Sequence, residues 1–293
     1  MDGGSQVYRV VDNISKNPWI FLKDYLEYFE KMNKRLLETI SCVLEEKGED
    51  SLHDMRTSCR RLQACINLLI HFSDHSQPKE TIKDLKRILK KSNKARDYQV
   101  YLDYLKGLKN SDRKFIDYFE KKFYKQKDKI KNYLSSLNTS KLETELEQTM
   151  SILTTELIKN FEPKTHYFTE SYFEDFKAIC DTFQKSDKQN DEQLHKLRIK
   201  VKNLRYKMEI LGEFNEEKLK EEKSLKLIQD ILGKHHDLVI LKKRLIKKFQ
   251  NKKLSFILEE INDEIFKTEN EIKVDVQNIL NELYSTLNEN NQI

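Results

Sequence analysis

The chain has 293 residues, of which 35% are charged, with 54 Lys and Arg against 49 Asp and Glu, and it contains only six glycines and three prolines. So few helix breakers exclude a fold rich in sheets and hairpins and predict an all-α protein of long antiparallel helices. The net charge of +5 is small for so charged a surface and selects no partner by itself, so what matters is whether the cations gather on one face.

The opening residues, MDGGSQVYRV, lack the basic-then-apolar profile of a signal peptide and read as an N-terminal extension over about residues 1–14. Beyond them apolar residues recur every three or four positions. This predicts helices over roughly 17–47, 51–72, 79–107, 112–136, 140–161, 165–185, 191–213, 217–249 and 252–288, with Pro18, Pro78 and Pro163 at or near three starts or breaks. The longest apolar run, from Ile66 to Phe72, is interrupted by Asn67 and His71, so no membrane partner is expected. Cys42, Cys59, Cys65 and Cys180 follow no zinc-ligand spacing and read as thiols in a reducing cytosol.

The second predicted helix opens with Leu52-His53-Asp54-Met55-Arg56-Thr57-Ser58-Cys59-Arg60-Arg61-Leu62. The seventh repeats the pattern as Leu194-His195-Lys196-Leu197-Arg198-Ile199-Lys200-Val201-Lys202-Asn203-Leu204. At nearly the same offset, Lys94-Ala95-Arg96-Asp97 matches Lys234-His235-His236-Asp237. Two matches in one register indicate an internal duplication. The predicted organisation is one domain over about 15–290, built from repeats at about 15–138 and 160–290 and joined by a connecting helix near 140–161. Each repeat closes a four-helix bundle, and the two are expected to be related by pseudo-twofold symmetry.

On a helical projection His53, Arg56, Arg60 and Gln63 fall at about 0°, 300°, 340° and 280°, while Met55, Cys59, Leu62, Ile66 and Leu69 fall between about 160° and 240°. His195, Arg198, Lys202 and Arg205 form the same basic stripe in the second copy, beside a core stripe of Leu197, Val201, Leu204, Met208 and Leu211. Cations at the border of core and solvent suggest the wall of a groove. A like-charged stripe with no interleaved acid would repel itself unless an anion lay on it. Lys90, Lys91 and Lys94 are candidates to extend the groove, and Asp97 and Asp237 are expected to orient nearby His or Arg by charge-assisted hydrogen bonds.

At these residues the sequence resembles the CHAD family, the conserved histidine α-helical domain. The carrying motifs are Leu52-His53-x-x-Arg56-x-x-x-Arg60-Arg61-Leu62, Ala95-Arg96-Asp97, Leu194-His195-x-x-Arg198-x-x-x-Lys202-x-Leu204-Arg205-Tyr206 and Gln229-Asp230-x-Leu232-Gly233-x-x-His236-Asp237. The resemblance implies two four-helix bundles about a pseudo-twofold axis. It also implies a basic cavity for inorganic polyphosphate, lined by His53, Arg56, Arg60, His195, Arg198, Lys202 and Arg205. Gln63 stands where the family's first repeat usually has an arginine, and Asn93 stands opposite Gly233, so the first half is expected to bind less tightly or to turn differently. Family members often accompany a CYTH-type triphosphatase marked by ExExK on a strand. Glu269-Asn270-Glu271-Ile272-Lys273 fits that string, but it lies in a segment with helical spacing.

The expected function is therefore non-catalytic binding of inorganic polyphosphate, with no cofactor and no metal, in the cytoplasm, with association with polyphosphate granules left open. Two alternatives remain. Single-stranded nucleic acid is disfavoured because only Tyr206 lies near the stripe, whereas such binders interleave aromatic side chains with cations. A metal-dependent phosphohydrolase built on His195, His235, His236 and Asp237 is disfavoured because His235 and His236 point about 100° apart on a helix and the first repeat has Ala95 and Arg96 in their places.

Overall fold

The computed structural model describes residues 18–48, 50–108, 112–160, 167–213, 219–249 and 252–290. Among them there is no strand. Contacts divide the chain into two units. The first holds α1 (Pro18–Glu45), α2 (Ser51–Leu69) with a 3₁₀ turn (Ile70–Phe72), α3 (Gln77–Gly107), α4 (Arg113–Ser135) and α5 (Thr139–Asn160). The second holds α6 (Tyr167–Lys185), α7 (Asp191–Glu213), α8 (Lys220–Lys248), α9 (Lys252–Glu271), a π turn (Ile272–Val276) and α10 (Gln277–Asn290).

In the first unit α2 lies between α1 and α3. The entry to it is a tight reversal in which α1 ends with Glu46 at φ 57°, the Lys47 amide donates to Cys42 O at 2.9 Å, and Gly48 follows at φ 78°. These are the left-handed cap and six-to-one bond of a Schellman motif, with glutamate in the position glycine usually takes. Lys127 and Lys131 of α4 hold the Glu46 carboxylate at 3.1 and 2.5 Å and so help to fix the reversal. The predicted core positions Met55, Cys59, Leu62, Ile66 and Leu69 are all fully buried where α2 packs on α1 and α3, and Tyr25, Phe29 and Leu36 of α1 and Leu85 and Ile88 of α3 are buried too. Burying a side chain of this size stabilises by roughly 1.5–3 kcal/mol, whereas an exposed ion pair contributes about 0–1 kcal/mol. The core therefore sets the orientation of α2. Helix α5 packs on the same unit, with the Thr81 and Thr149 hydroxyls 2.7 Å apart and buried.

In the second unit α7 is the central rod, packed on α6 and α8, and α9 packs on α8. Its start is well capped: Asn190 Oδ1 accepts from the amides of Glu192 and Gln193, each at 3.1 Å, and the Asp187 amide donates to Gln193 Oε1 at 2.6 Å. Leu197, Val201, Leu204, Met208 and Leu211 are buried along its core face. The glutamates Glu269 and Glu271 are helical and Lys273 lies in the π turn, so the ExExK string is not on a strand.

Candidate functional site

Each motif helix runs against the helix that carries the second half of its repeat. In the second unit the contacts form a ladder between antiparallel α7 and α8. Asp191 pairs with Lys243 at 2.6 Å, and the His195 and His236 rings lie 4.6 Å apart, tilted by 32°. Arg198 rests on Gly233, where an added Cβ would meet its Nε at 3.5 Å and its Nη2 at 3.7 Å. Arg205 reaches Gln229 Oε1 at 3.0 Å and Glu222 Oε1 at 3.2 Å. The two distances at Gly233 are ordinary contact distances, so the guanidinium of Arg198 lies along α8 beside Gly233 without the glycine being required for it.

The cations of this ladder are not equivalent. Arg205 is only 8% exposed; besides its bonds to Gln229 and Glu222, it donates to Glu209 at 2.9 Å and stacks on Tyr206 at 4.2 Å. Its fork is engaged by two carboxylates, so the stripe is not free of acids at this end, contrary to the sequence expectation. Arg198 is half-buried, its Nε is buried without a hydrogen-bond partner, and it has no ion pair among the described residues. Lys202 is half-buried one turn further along. His195 Nδ1 is also buried without a hydrogen-bond partner. The pKa of His195 is held below the usual imidazole value by burial, then by Arg198 and Lys202. That of His236 is pushed down to about 4 by burial, then by Arg198 and His195, with Asp191 opposing.

The first unit builds the corresponding wall from α2 and α3. Arg56 is only 6% exposed and donates through Nη1 to Leu89 O at 2.9 Å and to Ser92 Oγ at 2.6 Å. Burial, then Arg60, lowers its pKa to about 10, while Asp97 acts in the opposite sense, so the guanidinium stays charged at neutral pH. Arg60 is half-buried and has no ion pair among the described residues. His53 is exposed, and its pKa is lowered by partial burial and then by Arg96, against Asp54 and Asp50. Asp54 itself is turned to Arg35 of α1, at 2.6 Å. Gln63 Nε2 is buried without a partner, where Arg205 of the second repeat has its fork filled.

Arg96 and His236 occupy the same repeat position, Arg96 lowering the pKa of His53 and the His236 ring lying against that of His195, yet neither stands out in the motif-helix pattern. The repeat alignment was the signal that pointed to both. Lys90, Lys91 and Lys94 are exposed, but on α3 Lys90 and Lys94 lie about 160–200° around from Ser92, the residue that receives Arg56. Lys91 instead lies over the Tyr133 ring at 5.7 Å. The structure therefore does not bring these lysines together with the α2 stripe. Asp97 acts on Arg56 through space, and Asp237 is half-buried on α8. Asn93 and Gly233 both lie in mid-helix, so their difference creates no turn.

A cleft of about 530 Å³ opens beside the start of α2, lined by Leu52, Gln99, Asp103, Lys106 and Lys127 among others. Its lysines are engaged by Glu120 at 2.9 Å and by Glu46 at 3.1 Å, so it adds no unpaired cation to the stripe. All four cysteines are free thiols, and burial pushes Cys59 up to about 12, far from a reactive thiolate at neutral pH. Among the described residues no three His, Cys, Asp or Glu side chains are grouped to hold a metal ion, and no helix is long and apolar enough to cross a membrane.

Against known proteins, residues 27–246 match the family model described as CHAD domain. A search of curated proteins returns no match. Among solved structures the chain is similar to the crystal structure of the CHAD domain from the plant Ricinus communis, at 18% identity and a TM-score of 0.63, covering 90% of this chain and 91% of that one. That structural likeness supports the fold, and the family model, spanning most of the sequence including both motif helices, carries the assignment: the chain belongs to the CHAD domain family.

Proposed function

We propose that this protein binds inorganic polyphosphate without performing chemistry on it. The observation that carries the reading is the duplicated wall of cations, with Arg60 in one repeat and Arg198 in the other lacking an acidic partner among the described residues. The contact set is His53, Arg60 and Arg96 in the first repeat and His195, Arg198, Lys202 and His236 in the second. Arg56 and Arg205 sit behind it: Arg56 is held by Leu89 and Ser92 of α3 and contributes positive field more than direct contact, whereas Arg205 is paired with Glu209 and Glu222. Guanidinium groups suit the polymer because they present forked donors to phosphate oxygens. The pseudo-twofold pairing expected from the sequence is part of the same proposal. A flexible polymer that touches one stripe meets the other at high effective concentration. The cytoplasmic location belongs to this reading too, since four free thiols suit a reducing compartment.

Single-stranded nucleic acid fits less well. The one aromatic near the stripe, Tyr206, is 7% exposed and covered by Arg205, so it offers no face for a base. Catalysis by metal-assisted attack would need a cation beside Arg198 or Arg96, which repel it. The test is the salt dependence of polyphosphate affinity in the full chain. For duplex DNA each neutralised phosphate contributes about −0.9 to the slope of log affinity against log salt, which serves as a guide for a flexible polymer. Arg198→Gln and Arg60→Gln should each weaken binding and make the slope shallower. An unchanged slope in both variants would remove the stripe from the site.

A further inference from the structure

At one rung of the ladder the two repeats differ in kind. The first carries Arg96, a permanent cation, beside His53. The second carries His236, whose ring lies 4.6 Å from that of His195. The charges around this imidazole pair come from several helices. From α7 there are Arg198, Lys202 and Asp191, and from α8 there are His235 and Lys243, the latter already paired with Asp191 at 2.6 Å. Glu269 of α9 lies 4.0 Å from His235 Nε2, and on α6 Asp175 is taken by Lys207. Asp237, next to His236 on α8, is half-buried as well, but the groups that act on the two rings are Arg198 and Lys202 for His195, and Arg198 ahead of the opposing Asp191 for His236, so cations outweigh acids there; Arg198 lies on Gly233, one turn of α8 away from His236.

Such a pair cannot hold two protons, or readily hold one, while cations outweigh acids around it. An anion reverses that balance. We propose that the second repeat is the proton-responsive half of the anion site: a polyanion lying on Arg198 charges the His195–His236 pair, so binding there takes up a proton, whereas the first repeat binds with a fixed charge through Arg96. The inference rests on the polyphosphate reading and adds a regulation to it. In the free protein both imidazoles are neutral at pH 7, because burial and Arg198 hold them below their ordinary range. Bound phosphate raises that range. Affinity therefore increases as pH falls through the bound-state value and stops increasing below the free-state value, by about tenfold per pH unit for each proton taken up. Internal phosphates of the polymer keep one negative charge each across this span, so the ligand does not supply the effect. Because the rings touch, the proton belongs to the pair and not to either residue.

The experiment is isothermal titration of the intact chain with long-chain sodium polyphosphate between pH 5.5 and 8, in buffers of different ionisation enthalpy, which counts protons taken up. His236→Arg copies the first repeat. It should lower the uptake by about one proton and flatten the pH profile by about tenfold per unit, with its affinity highest relative to the native chain at pH 8. His236→Gln should lower the uptake as well but lose affinity at low pH. Arg96→His should do the reverse in the first repeat and add uptake, which keeps the inference testable if either His236 variant fails to fold by circular dichroism. His53 and its neighbour Arg96 are unchanged in the His236 variants, so its own titration cancels there; in Arg96→His it loses the fixed cation beside it, and its titration belongs to the added uptake. Native uptake that persists in both His236 variants, or an Arg96→His variant with unchanged uptake, would overturn the inference while leaving polyphosphate binding intact. A native chain that binds no polyphosphate would overturn the underlying reading as well.

Discussion

Replacing Arg205 by alanine separates two roles that the motif alone runs together. Its side chain is buried and bonded to Glu222, Glu209 and Gln229 at 3.2, 2.9 and 3.0 Å, and it stacks on Tyr206. The Glu209 and Glu222 side chains are only 11% and 9% exposed, so alanine takes the guanidinium from both and strands the nearly buried Glu222 carboxylate. Individual hydrogen bonds to charged groups contribute about 1.5–3 kcal/mol, but these share one guanidinium and do not add. The governing cost is that of leaving a buried charge unpaired, roughly 3–5 kcal/mol. Urea unfolding followed by circular dichroism should show a loss of that size for Arg205→Ala. Adding Glu222→Gln should recover part of it, since the second change removes the stranded charge. By contrast, Arg198→Ala, which breaks no ion pair, should change stability little and affinity much. A stable Arg205→Ala protein that no longer binds polyphosphate would refute the assignment and place Arg205 on the ligand.

Two further outcomes concern the free protein. Asn190→Ala, which removes the acceptor for two amides at the start of α7, should destabilise the second unit by about 1 kcal/mol in the same assay. Burial and then Arg198 push the pKa of His236 down to about 4 from the ordinary 6.5, so between these values the unfolded chain binds more protons. Stability should therefore fall as pH drops from about 6.5 towards 4, and His236→Gln should flatten that fall in thermal unfolding; an identical profile in the variant would contradict the buried, neutral imidazole.

The helices and their core faces were legible because the 3.6-residue period places Met55, Cys59, Leu62, Ile66 and Leu69 on one stripe, and that stripe is buried. The repeated motif was visible for the same local reason, since its pattern and spacing stand twice in one chain. What the sequence could not show is which arginines are engaged internally. Glu209, four residues after Arg205, was a local hint of neutralisation, but Glu222 and Gln229 come from α8 and meet Arg205 only after packing. The acceptors of Arg56 are a backbone carbonyl and a serine on α3, which carry no charge pattern to read. Lys90 and Lys94 show the converse limit of reading by proximity in sequence. They are close in sequence to Arg96, but helical phase turns them away from the face that meets α2.

The central claim is that the chain holds polyphosphate and leaves it whole. Labelled long-chain polyphosphate, bound to the full-length protein with Mg²⁺ present, should be displaced by unlabelled polyphosphate far more effectively than by single-stranded DNA, RNA or ATP, with no release of phosphate in the same tube. Equal displacement by single-stranded nucleic acid, or steady release of phosphate that disappears in a His195→Ala or His236→Ala variant, would contradict it.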